Sequence, residues 1–332
     1  MRPKERSGRL LKDMLFDLIK GQERPIGMLK DYLAQSQLVG GYLFSGPEGI
    51  GKKLTALTLA KALNCQEGVL KPCAGCPSCI KIEKKQHPDV HLIEQGEGDI
   101  KIDDIRRLQH RINLMPYEAR KKVFIIDNAH QLTAEAANAL LKILEEPPGD
   151  SLIILISDKP SLLFKTILSR CKVVKFSPLE RERLKTLFKE DFRLDNNTAH
   201  FLAYFSEGRL GCGLRLKESD TLREKNNIID EFVFSSKPGF TSLPSQERQD
   251  IRRYMNILAS WLRDIYLFKA GLPDTQAINF DRRQELLKHS RQLSLFELSR
   301  MTDALSQSLS YLERNINVKL ILYNLKAQLC SK

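Results

Sequence analysis

One short segment constrains this chain more than any other. Gly46-Pro-Glu-Gly-Ile-Gly51-Lys52-Lys53 follows the apolar run Gly41-Tyr-Leu-Phe-Ser45 and precedes a helical periodicity from Lys53 to Leu63. A G-x-x-x-x-G-K pattern between a buried strand and a helix is a phosphate-binding loop. Its glycines allow a tight turn, its amides face a ligand from a helix N-terminus, and its lysine reaches the phosphates. Such a loop belongs to a strand–loop–helix unit, so a parallel α/β sheet is expected around it.

The surrounding sequence agrees. Short apolar runs recur at Val90–Glu94, Val123–Asp127, Leu152–Ile156 and Val173–Phe176. Helical patterns separate them: Ile102–Leu114, with Ile102, Ile105, Leu108 and Ile112 on one face, and Ala134–Leu144, stopped by Pro147-Pro148. Buried strands alternating with helices predict a parallel sheet covered on both faces. After Pro178 the strand signals end. Leu179 to Leu216 reads as short helices, Ser235–Ser245 as a linker with Pro238, Gly239 and Pro244, and Glu247–Leu329 as helical throughout. The expected domains are an α/β domain over 1–178 with an insertion at 65–79, a small helical domain over 179–240, and a C-terminal helical bundle over 241–332.

No stretch is apolar for the ~20 residues of a membrane span. Arg2, Lys4, Arg6 and Arg9 open the chain, but no secretory apolar core follows; Leu10–Ile19 suits an amphipathic helix. A cytoplasmic location is expected, with no membrane partner. The net charge of +12 is spread along the chain. It suits proximity to nucleic acid and a solvated mixed surface equally well.

Three further motifs bear on chemistry. The loop pattern normally ends in Ser or Thr, whose hydroxyl ligates Mg²⁺; here Lys53 offers no acceptor and adds a positive charge. Val123-Phe-Ile-Ile-Asp127-Asn128 resembles a Walker B strand, with Asp127 as a metal ligand, but the following residue is an amide that cannot act as a base. These are independent losses from one reaction, so hydrolysis is not expected. Gly46, Gly49, Gly51, Lys52 and Asp127 form an expected vestigial nucleotide site, and ATP binding there is doubtful. Cys65-x7-Cys73-x2-Cys76-x2-Cys79 places four thiols within fifteen residues. That suits structural, tetrahedral Zn²⁺; an iron–sulfur cluster or free thiols are the alternatives. The chain has seven cysteines, an odd number with one tight cluster, which speaks against a disulfide framework. Ser169-Arg170-Cys171 taken alone means only a surface arginine.

Together these residues resemble one family. A phosphate loop, a four-cysteine insertion, the run Asn138-Ala-Leu-Leu-Lys-Ile-Leu-Glu-Glu-Pro-Pro148 and Ser169-Arg170-Cys171 occur in this order in bacterial clamp-loader subunits of the AAA+ class. The resemblance is strong over about residues 20–180. It implies a P-loop AAA+ domain, a small helical lid and a C-terminal collar. It also implies γ/τ ATPase and δ subunits as partners, with the sliding clamp and primed DNA in the complex. Arg170 is then an arginine finger acting in trans. The family's γ/τ motor keeps Thr at the loop end and Glu after the Walker B Asp. This chain has neither and so resembles the non-hydrolysing branch. In Glu207-Gly208-Arg209-Leu-Gly211-Cys212 the family often has Arg where Cys212 stands. The rival readings are a diverged γ/τ-type ATPase and a zinc-bearing nucleic-acid-binding protein.

Overall fold

The computed structural model describes residues 16–68, 72–94, 98–148, 151–218, 221–234, 247–314 and 316–330. The basic N-terminus, most of the Leu10–Ile19 helix and the Ser235–Ser245 linker lie outside the described residues. Residues 16–19 form a turn, closed by Ile19 N–H on the Phe16 carbonyl. The chain divides into two compact units, Met1–Leu179 with Arg209–Gly211, and Glu180–Gly208 with Cys212–Lys332.

The first unit holds a five-stranded sheet in the order β2-β3-β4-β1-β5. Its strands are β1 (Gly40–Ser45), β2 (Val90–Ile93), β3 (Lys122–Ile126), β4 (Ser151–Ser157) and β5 (Cys171–Lys175), all paired in parallel. Its helices are α1 (Glu23–Ala34), α2 (Lys52–Asn64), α3 (Pro77–Glu83), α4 (Ile102–Ile112), α5 (Ala134–Glu145) and the single turn α6 (Lys165–Leu168). Alternate side chains of each strand enter opposite cores. Tyr42, Phe44, Val123, Ile125, Leu152 and Ile154 pack with Leu29, Leu33 and Leu59 on one face. Leu43, Phe124, Ile126, Ile153 and Leu155 pack with Ile105, Leu108 and Leu140 on the other. Every residue of β3 and β4 is buried, which is why these runs carry no polar alternation. Each large side chain so buried contributes about 1.5–3 kcal/mol.

Between β4 and β5 there is no continuous helix over Leu162–Leu168: a 3-10 turn, Pro160–Leu162, is separated from α6 by extended backbone at Leu163 and Phe164. The break lets both Leu163 and Ile167 enter the core.

The second unit is helical: α7 (Arg181–Glu190), α8 (Asn196–Phe205), α9 (Leu210–Glu218), α10 (Thr221–Ile229), α11 (Arg248–Lys269), α12 (Arg283–Gln292), α13 (Leu295–Glu313) and α14 (Val318–Cys330). The first two residues of α9 count with the other unit. Ile251, Tyr254, Leu258, Trp261, Leu262 and Ile265 of α11 line its core. The pattern from Glu247 onward is not helical throughout. Gly271, at φ +69°, ends α11, and the chain crosses to Asn279 before resuming. Buried Asp264 fixes that crossing by accepting the Ile278 and Asn279 amides at 2.9 and 2.7 Å. No helix among the described residues is long and apolar enough to cross a membrane.

Candidate functional site

The glycine loop leaves the C-terminal end of β1. Gly46, Gly49 and Gly51 all have positive φ, at +149°, +76° and +98°. A Cβ on Gly46 would lie 2.4 Å from the Phe176 carbonyl oxygen, so only glycine fits there. The Gly46 amide donates to Ser157 O at the end of β4, and the Gly211 amide donates to Gly49 O at 2.7 Å. Lys52, which is buried, turns back onto the loop and donates to Gly46 O at 2.5 Å and Pro47 O at 2.6 Å.

Lys53 points to the ends of β2 and β3. Its ammonium lies 3.0 Å from Asp127 Oδ2 and is also paired with Glu94. Glu94 is held on its other oxygen by Lys85 at 2.5 Å. Burial alone would depress the Lys53 ammonium, but its bonds to Glu94 and Asp127 outweigh that and hold its pKa above the usual lysine value. Burial likewise pushes the Glu94 carboxyl up, and the two lysines outweigh it and hold it below the usual range. Asn128 adopts φ +53°, its amide donating to Asp127 Oδ1 at 3.1 Å. Two residues after Asn128, His130 Nδ1 sits 3.3 Å from both Ser157 Oγ and Asp158 Oδ1. The sheet thus brings Gly46, Gly49, Gly51, Lys52, Lys53 and Asp127 to one edge. Sequence reasoning missed Glu94, Lys85 and the Ser157–His130 pair. They lie far from the glycine loop in sequence, and only the fold places them here. Cys212, in the second unit, receives Arg215 Nη2 at 3.3 Å.

The four cysteines gather between the end of α2 and the first turn of α3. The sulfurs of Cys65, Cys73, Cys76 and Cys79 lie within 4.8 Å of one another, and all four residues are buried. Ala74, at φ +56°, forms the turn between the second and third. Backbone amides point at sulfur: Cys73 N–H to Cys65, Cys76 N–H to Cys73 and Cys79 N–H to Cys76, at 3.3, 3.2 and 3.5 Å. Burial pushes the Cys76 thiol up, but the amides of Cys79 and Gln66 outweigh it and bring the pKa to about 7. Burial dominates at Cys79 and raises it. The set can hold a metal: tetrahedral Zn²⁺ at about 2.3 Å from each sulfur needs sulfurs about 3.8 Å apart.

Arg170 sits at the other end of the sheet. It precedes β5, an outer strand, and Cys171 pairs with Gly41 at the start of β1. At about 3.3 Å per residue, roughly 16 Å of strand separates that level from Gly46. Its Nε donates to Glu145 Oε1 at 2.8 Å and its Nη1 to Thr166 O at 3.0 Å, with a third of the side chain exposed.

Comparison with known proteins gives a consistent set of relatives. Residues 21–180 match the family described as DNA polymerase III, delta subunit, and residues 219–329 match DNA polymerase III, delta subunit, C terminal. DNA polymerase III subunit delta′ of Bacillus subtilis is 31% identical over 314 residues, covering 90% of this chain and 93% of that protein. The gamma subunit of Buchnera aphidicola is 34% identical over 206 residues, covering 60% of this chain and 57% of that protein. The tau subunit of Bacillus subtilis is 32% identical over 214 residues, 63% of this chain but 38% of that protein. The match thus takes in nearly the whole delta′ relative and only part of the gamma and tau relatives.

Proposed function

The chain belongs to the clamp-loader family of DNA polymerase III subunits, of the delta′ and gamma/tau type, and from that premise we propose that it fills the delta′ role. It is a non-hydrolysing AAA+ subunit that lends Arg170 to the ATP site of an adjacent gamma/tau subunit. The observation that carries this reading is the engagement of Lys53 with Asp127 and Glu94. The residue that should bring a metal-binding hydroxyl brings an ammonium, and it lies on the carboxylate that should share the metal. Asn128 supplies no base to polarise water.

Arg170 complements this. It lies at the far end of β1 from its own loop, so it serves another molecule's site if it serves one. Negative charge develops on the γ-phosphoryl oxygens during hydrolysis, and a guanidinium supplied in trans is worth about 10³–10⁵ in rate in related enzymes. The partners on this reading are gamma/tau and delta subunits, with the sliding clamp and primed DNA in the cytoplasmic complex.

Two roles support the complex. Residues 179–240 form the lid and 241–332 the collar that holds the ring. Leu295, Phe296, Leu320 and Tyr323 are exposed apolar side chains on the collar helices, and they give it faces to bury against neighbours. The cysteine cluster holds one structural Zn²⁺ in the 65–79 insertion and has no open position for catalysis.

The test is to mix the purified chain with gamma/tau, delta and clamp and measure assembly and ATP turnover, beside the chain alone. The expected result is assembly with turnover only in the complex. Turnover by the isolated chain that Lys52→Ala abolishes would make it a diverged gamma/tau motor instead.

A further inference from the structure

We propose that Lys53 is the resident cation of the glycine loop: its ammonium takes the place between loop and β3 that a divalent ion would fill, so this edge of the sheet is neutralised from within and takes up no Mg²⁺. The inference rests on the non-hydrolysing reading of the loop and goes further, because it says what stands in the metal's place.

The geometry is specific. Lys53 occupies the position whose hydroxyl would ligate the metal, at the second residue of α2. Its Nζ reaches Asp127 Oδ2 at 3.0 Å, the carboxylate that would lie next to that metal, and closes on Glu94 Oε1 as well. Lys85 takes the other Glu94 oxygen, so two carboxylates face two ammonium groups. Asp158 at this edge has its Oδ1 3.3 Å from His130 Nδ1. A Mg²⁺ ion needs near-octahedral oxygen ligands at about 2.0–2.1 Å. It would have to displace an ammonium that is already bonded to its best carboxylate, with no hydroxyl gained in return. The same ammonium ties the end of β2 to the end of β3, which gives the cluster a structural role that a lost metal site would not have. The pKa directions at Lys53 and Glu94 agree with a settled ion pair.

This reading makes a metal-rescue prediction. Replacing Lys53 with Thr removes the internal cation and restores a hydroxyl, leaving Asp127 and Glu94 facing each other. The full-length chain is melted with and without millimolar Mg²⁺ at matched ionic strength, so that general screening is equal. No chelator is used, because it would strip thiolate-bound zinc. The native chain should melt identically in both. Lys53→Thr should melt lower without Mg²⁺ by about 2–4 °C, a shift typical of one lost interaction in a domain this size, and recover with it. Lys53→Thr with Asp127→Asn should not respond to Mg²⁺. A native chain stabilised by Mg²⁺ as much as the variant, or a Lys53→Thr chain indifferent to it, would overturn the proposal. Should Lys53→Thr fail to fold, Mn²⁺ binding by the native chain, followed by paramagnetic resonance, decides. A bound Mn²⁺ that Asp127→Asn removes sinks the idea, and its absence supports it. None of these readouts is ATP turnover, so their failure is distinct from failure of the delta′ assignment.

Discussion

At its C-terminal end β1 runs into a loop whose two lysines are both engaged within the chain. Lys52 bonds to the loop's own carbonyls and Lys53 to Asp127 and Glu94. At its N-terminal end β1 lies beside Arg170, which rests on Glu145, a half-exposed carboxylate. The chemistry of the two ends differs in how readily it can be redirected. An exposed ion pair is worth about 1 kcal/mol or less, so Arg170 can leave Glu145 for a stronger anion. Lys52 is buried on two loop carbonyls and Lys53 bridges two carboxylates, whereas Arg170 has a single, half-exposed carboxylate to leave. A chain can therefore lose catalysis at one end of a strand and keep a chemically available arginine at the other.

The contrast is broken most directly in the reconstituted complex. Arg170→Ala should slow ATP hydrolysis at the adjoining site by about 10³-fold or more, with assembly intact, whereas Lys52→Ala should leave turnover unchanged. Arg170→Lys should restore little, because an ammonium lacks the planar fork. Equal losses from the two alanine variants would erase the distinction.

Next in size is the cysteine cluster. On the proposed zinc site, Cys73→Ser removes a ligand, and metal affinity should fall by more than the roughly 10–100-fold seen when only an outer partner of a ligand is lost. Metal analysis should show the ion gone. Hydrogen exchange should speed up in α3 while β3 and β4 stay protected, because the cysteines lie outside the strands. Loss of protection across the sheet would show the insertion to be part of the core.

A smaller gain is expected from Lys53→Thr with Asn128→Glu, which restores the hydroxyl and the carboxylate. Weak Mg²⁺-dependent turnover, far below a typical enzyme's ~10 s⁻¹, is the predicted outcome of a steady-state assay. Turnover equal to that of an active motor would mean the two residues alone had silenced the loop.

The smallest effects separate the two ends of β2. Asp89, just before β2, accepts amides of Tyr117, Glu118 and Ala119 at 2.8–3.0 Å. Glu94, just after β2, is held by lysines. Burial pushes both carboxyls up, but amides at Asp89 and ammonium groups at Glu94 outweigh it, so both sit below their usual range. Groups lowered on folding stabilise above their unfolded pKa, near 4, and that stability is lost as pH falls through the folded value. Asp89→Asn should therefore cost about 1–2 kcal/mol at neutral pH and flatten the acid limb of the stability curve, with little salt dependence. Glu94→Gln, part-exposed and screened, should cost about 1 kcal/mol or less and fade in high salt. Denaturant melts across pH and salt would tell the two apart, and identical salt responses would contradict the distinction drawn here.

The sheet was legible because parallel strands buried on both faces read as apolar runs, and the glycine loop fixed which strand comes first. The cysteines were legible because their spacing is local. Glu94 was not: nothing in Val90–Glu94 says that its last residue will meet Lys53, since that needs both the β2–β3 pairing and the packing of α2 against the sheet. Glu145 was named only as part of a run, for the same reason. The crossing after α11 was hidden because Asp264 and Asn279 lie fifteen residues apart and their amide bonds leave no period.

Gly46 carries a consequence for descent. Its backbone sits against the Phe176 carbonyl so closely that any side chain would collide. Packing alone is therefore enough to retain this glycine, whether or not a nucleotide is ever bound. Under drift, no backbone clash of this kind bars exchange at Lys52 or Lys53, whereas it does at Gly46. A glycine loop surviving in a distant descendant would then record the shape of the sheet and not a selected chemistry.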